Sequence, residues 1–237
     1  MTSLVLTAHG SADPRSAANA RAVARQVARL RPGLDVRIAF CEHNPPGLVD
    51  VLNACPGKAV VTPLLLADAY HARADIPAQI AGCAFPDRVR QAGVLGEDDR
   101  LISVTRQRVL ESGVSRLDDT LGVLVVAIGS SNPAANARTA EVAPRLMTGT
   151  RWAAATTAFA THREPSLADS VRRLRDQGAG RVVIAPWFLA PGRIPDRVQR
   201  FAAESGVPMA APLGAHPLMA ETVLDRFDQV ATARAAA

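Results

Sequence analysis

Lysine is nearly missing from this 237-residue chain: Lys58 is the only one, and arginine carries the rest of the positive charge. Aromatic residues amount to 4%, and no basic run is interleaved with them, so the pattern of a nucleic-acid surface is absent. Neither GxGxxG nor GxxxxGKS/T occurs, which removes the usual dinucleotide and nucleoside-triphosphate signatures. No apolar run approaches the roughly 20 residues that cross a bilayer. No basic leader precedes the strand-like segment after Met1-Thr2-Ser3, so neither membrane insertion nor export is expected. Cysteine is sparse and odd in number. Cys41, Cys55 and Cys83 all lie in the first half without CxxC spacing, a pattern that favours a reduced cytoplasm over a disulfide framework.

What remains is an ordinary globular composition, 48% apolar and 21% charged, with a formal net charge of +5 that suits an acidic small-molecule partner. The informative feature is that the chain is written twice. Leu4-Val5-Leu6-Thr7-Ala8-His9-Gly10-Ser11 is answered by Leu124-Val125-Val126-Ala127-Ile128-Gly129-Ser130. At the same offset Asp13-Pro14 answers to Asn132-Pro133, Phe40 to Phe159 and Pro46 to Pro165. Pro63-Leu64-Leu65-Leu66-Ala67 matches Pro186-Trp187-Phe188-Leu189-Ala190, after which the second copy drops the stretch 68–74.

Apolar runs of strand length alternate with longer amphipathic segments, the pattern of parallel βα units. Strands are expected at 4–8, 35–41, 59–66 and 88–93, then at 122–127, 151–159, 181–189 and 207–210. Helices are expected at 14–30, 46–54, 75–82 and 98–112, then at 133–146, 165–177, 194–204 and 216–232. Asp13 and Asn132 precede a proline at the first helical position, a strong start signal, and His216 is expected to cap or begin the last helix. The fold class is therefore α/β: two tandem Rossmann-like or flavodoxin-like βα domains with parallel sheets, related by internal duplication. They would occupy 1–115 and 120–237, with a linker around 112–121.

His9, Glu42 and His71 follow the first three strands of the first copy, and strand ends of a parallel sheet share one edge where ligands bind. Two imidazoles and a carboxylate suit a first-row divalent metal and can also take protons near neutral pH, since histidine titrates at about 6.5. All three are absent from the second copy, where Ile128, Thr161 and a deletion stand instead. Taken singly, His9 could bond its own loop and Glu42 could be a surface carboxylate. His43, whose equivalent His162 is retained, fits a structural role, and Cys41 fits a small buried apolar residue. Gly10-Ser11 ahead of a helix could hold an anion on backbone N–H groups.

At these residues the chain resembles the class II tetrapyrrole chelatases, the sirohydrochlorin cobalto- and ferrochelatase group in its long, two-domain form. The resemblance rests on Thr7-Ala8-His9-Gly10-Ser11, on Glu42 with Pro46, and on Pro63-Leu64-Leu65-Leu66 followed by Tyr70-His71 and Asp75-Ile76-Pro77. It implies insertion of Fe²⁺ or Co²⁺ into sirohydrochlorin with loss of two protons, without nucleotide or permanently bound cofactor. His9 and His71 would then be metal ligands and bases, and Glu42 their acidic helper within the metal set. It also implies a second domain that is degenerate and forms the opposite cleft wall, and a fused pair that works as a monomer. Arg15, Arg73 and Arg193, near the expected mouth, are candidates for the substrate's rim carboxylates, with Gly10 and Ser11. A chelatase for nickel or protoporphyrin, and a non-catalytic metal or tetrapyrrole carrier, are the alternatives. A two-lobed sugar- or amino-acid-binding protein is a third, but that reading expects an export signal.

Overall fold

The computed structural model describes residues 2–162 and 164–232. In chain order the elements are β1 (Ser3–Ala8), α1 (Pro14–Leu30), β2 (Val36–Phe40), α2 (Leu48–Asn53), β3 (Ala59–Pro63), a π-helical turn (His71–Asp75), α3 (Ile76–Ala81), a 3₁₀ turn (Pro86–Arg88) and β4 (Val89–Gln91). There follow α4 (Asp99–Glu111), β5 (Leu121–Ala127), α5 (Pro133–Ala140), α6 (Val142–Met147), β6 (Ala154–Phe159), α7 (Leu167–Asp176), β7 (Arg181–Pro186), α8 (Arg193–Glu204) and α9 (Pro217–Ala231). No helix among the described residues is long and apolar enough to cross a membrane.

The first sheet has the order β2-β1-β3-β4 and the second β6-β5-β7, with every pairing parallel. Leu4, Val5 and Leu6 of β1 are fully buried, as are Leu121 and Val123 through Val126 of β5. That is why these strands read as unbroken apolar runs rather than alternating ones: helices cover both faces of a parallel sheet. Helix α1 begins where Asp13 accepts a hydrogen bond from Arg15 N, and it turns Ala17, Ala20, Val23 and Val27 inward at helical spacing. The same device recurs at Asn132-Pro133 and at His216-Pro217, where His216 Nδ1 accepts from Leu218 N.

Two expectations need correction. The helix foreseen over 133–146 is two helices, because Pro144 has no N–H to give Ala140 O, and the Thr157 hydroxyl donates to that carbonyl instead, at 3.3 Å. The strand foreseen over 207–210 is only an isolated bridge between Met209 and Ile184, and Pro208 within it offers no ladder donor. The repeats read along the sequence as 1–115 and 120–237, but the compact units are 1–96 with 215–237, and 97–214. Helix α9 packs on α1 and β3 of the first unit, while α4 packs on α6 and β7 of the second. Each unit therefore takes its closing helix from the other repeat. The chain changes unit just after Gly96 and Gly214, both at positive φ (63° and 67°).

Candidate active site

The site lies in the first unit, at the carboxyl edge of its sheet, where the strand order reverses about β1. His9 is the first residue after β1. Glu42 comes two residues after β2, and its N–H donates to His9 O at 3.0 Å, one step beyond the Cys41 N to Ala8 O bond. Gly10 makes this approach possible. It sits at φ 98°, and a Cβ there would lie 1.8 Å from Glu42 O. His71 opens the π-helical turn after β3, and Gln91 of the edge strand steadies that turn by donating to Ala72 O at 2.7 Å. Such turns recur at functional sites.

Residues 62 positions apart thereby meet: the His9 and His71 ring centroids are 3.9 Å apart, with an interplanar angle of 35°. Each imidazole has its own carboxylate. His9 Nε2 is 3.2 Å from Glu42 Oε1, and His71 Nδ1 is 3.2 Å from Asp75 Oδ2. Gln79 Nε2 donates to Asp75 Oδ1 and to Cys41 O, locking the carboxylate in place. His9 Nδ1 is buried without a hydrogen-bond partner from another residue. With its Nδ1 proton given to Asp75, a neutral His71 keeps its lone pair on Nε2. Burial, and then the neighbouring His71, hold the His9 imidazole below its ordinary 6.5, against the opposing charge of Glu42.

The remaining candidates fare unevenly. His43, expected to be structural and to point away, has Nε2 3.2 Å from the same Glu42 oxygen that His9 meets, and its positive φ of 61° turns it there. A strand continued past Phe40 would have sent it to the opposite face; the chain has already left β2. Ser11 does not offer an anion its backbone donor: the N–H goes to Asn44 Oδ1 at 2.8 Å, and the hydroxyl accepts from Asp13 N. Gly10 serves the close approach to Glu42. Burial, with Asp75 and Glu42, pushes the Cys41 thiol up to about 12, so it stays protonated. Arg15 is held by Asp13 and Arg73 by Asp68, both on the surface, while Arg193 opens α8 in the second unit. Among the described residues no group of three or more His, Cys, Asp or Glu side chains is already arranged to hold a metal ion. Asp75 and Gln79 were missed as functional residues; the His71-to-Asp75 spacing of four is the helical signal that pairs them.

The matching positions of the second unit carry other side chains. Ile128 stands half exposed where His9 would be, and the Thr161 hydroxyl, at the Glu42 position, donates to Ile128 O at 2.7 Å. His162 rests beside Phe159, with ring centroids 5.0 Å apart.

A family model described as CbiX matches residues 3–112 and again 122–230. The chain is 26% identical over 211 residues to the sirohydrochlorin ferrochelatase of Priestia megaterium, covering 84% of this chain and 77% of that one. It is also 26% identical over 250 residues to the sirohydrochlorin cobaltochelatase of the same organism, covering 97% and 80%. Among solved structures, SirB from Bacillus subtilis with Fe³⁺ superposes with a TM-score of 0.84 over 99% of this chain and 97% of that one. At 22% identity this is a likeness of fold.

Proposed function

Since the chain belongs to the CbiX family, we infer that it is a sirohydrochlorin chelatase, inserting Fe²⁺ or Co²⁺ into the macrocycle and releasing two protons. The observation that carries this reading is the pair of imidazoles 3.9 Å apart, each backed by a separate carboxylate.

The chemistry follows from that arrangement. A divalent metal, here a substrate, would be held by His9, His71 and Glu42, while Asp75 fixes the His71 tautomer and raises its basicity. The tetrapyrrole must lose two N–H protons as the metal enters. Each imidazole that gives up the metal regains a lone pair, so two rings can accept two protons. Glu42 and Asp75 stabilise the imidazolium ions until water takes the protons away. The burial that lowers the His9 pKa keeps the ring neutral for metal and makes it release its proton readily. Binding the macrocycle's rim carboxylates would hold the ring against this site. Arg73, Arg15 and Arg193 are the candidates, the first two trading an internal surface carboxylate for one of the substrate's. The three thiols are unpaired, in keeping with a reducing cytoplasm, and a chain that already contains both repeats can act as a monomer.

The test is steady-state turnover on sirohydrochlorin with Fe²⁺ and Co²⁺ side by side, followed by the absorbance change on metal insertion. Many turnovers per chain support a chelatase. Stoichiometric binding without turnover would make the protein a carrier, and insertion confined to nickel or to protoporphyrin would assign it another metal or ring.

A further inference from the structure

Tyr70 is the only tyrosine of an aromatic-poor chain, and it stands 71% exposed immediately before His71. Its ring lies edge-on to the His71 imidazole, with centroids 5.8 Å apart and an interplanar angle of 78°. The segment that presents it, 68–74, has no counterpart in the second repeat, so it arrives together with the metal-facing histidine. An exposed aromatic ring is unremarkable singly. One fixed beside a metal-facing imidazole is placed where a flat substrate must pass.

The geometry suits such a substrate. A metal leaves an imidazole nitrogen along a direction within the imidazole's own plane, so a macrocycle receiving it lies steeply to that plane. The phenol ring also stands steeply to the imidazole, at 78°, which is compatible with its face turning toward the macrocycle. In this orientation one aromatic face can lie against another in offset stacking. We propose that Tyr70 is a substrate-contact residue whose phenol ring packs against the tetrapyrrole, making the π-helical turn bifunctional: His71 takes the metal and Tyr70 takes the ring. This inference rests on the chelatase reading.

The experiment compares wild type with Tyr70→Phe and Tyr70→Ala in three measurements: metal-free sirohydrochlorin binding by absorbance titration, Co²⁺ binding without tetrapyrrole, and steady-state kinetics. Tyr70→Ala is expected to weaken macrocycle binding and raise KM about tenfold, the usual scale for losing one aromatic stacking partner. Tyr70→Phe should stay close to wild type, and Co²⁺ affinity should be equal in all three. Unchanged macrocycle binding by Tyr70→Ala, in a background where wild type turns over, overturns the inference and leaves the chelatase reading standing. So does a loss of Co²⁺ affinity with macrocycle affinity intact, which would make Tyr70 a positioning residue for His71. A wild-type protein that binds no sirohydrochlorin overturns both.

Discussion

Gly10→Ala should cripple the site without touching any polar side chain. Gly10 sits at φ 98°, a conformation that costs a residue with a side chain about 1–3 kcal/mol. The new Cβ would fall 1.8 Å from Glu42 O, whereas real contacts essentially never drop below 3.0 Å, so the two loops must part by more than about 1 Å. Parting them strains or breaks the 3.0 Å bond from Glu42 N to His9 O, worth about 1 kcal/mol. The expected total is about 2–4 kcal/mol, which a domain of ordinary stability survives. Displacing Glu42 from His9 by that distance should cost about a hundredfold in kcat/KM. Urea unfolding gives the first number and initial rates of metal insertion give the second. Gly129→Ala is the internal control: its φ is 95°, but its Cβ meets the Thr161 hydroxyl and side-chain atoms of Phe159 and His162 instead of a backbone carbonyl. It should lose stability while metal insertion stays normal. If Gly10→Ala keeps wild-type stability and rate, the close approach does not matter and the reasoning fails.

His9→Ala and His71→Ala should each nearly abolish insertion while leaving the unfolding midpoint in place, because both side chains are partly exposed; full turnover under limiting metal would remove that residue from the mechanism. Asp75→Asn should lower metal affinity or kcat/KM about 10–100-fold, the range for a carboxylate that orients a ligating histidine, and Co²⁺ titration checks it. Burial keeps His9 neutral to below pH 6.5, so the acidic limb that its protonation contributes to the pH–rate profile should lie below 6.5. Glu42 raises the His9 pKa, so Glu42→Gln should reduce the amplitude and move the acidic limb to still lower pH; a shift to higher pH contradicts the assigned coupling.

Strand runs and helix caps were legible because their physics is local: Leu4–Leu6 is apolar on both faces, and Asp13, Asn132 and His216 cap with their own side chains. The convergence of His9, Glu42 and His71 was legible too, since a parallel sheet brings its strand ends to one edge. Two errors had visible signals, Pro144 inside a helical stretch and Pro208 inside a strand-like one. The role of His43 was hidden by backbone geometry, because a positive φ on a non-glycine residue leaves no mark in composition. The exchange of closing helices was hidden for another reason. An amphipathic pattern states that α4 and α9 have an apolar face, with Leu101, Val104, Met219 and Val223 on it, but not which sheet that face will cover.

That exchange governs how the molecule comes apart. Severing the polypeptide at 112–121 would yield an amino-terminal piece stripped of the cover over α1 and β3, and a carboxyl-terminal piece stripped of the cover over α6 and β7. Each fragment carries the missing lid of its sibling, so the two pieces, poorly soluble apart, should reassemble when synthesised together.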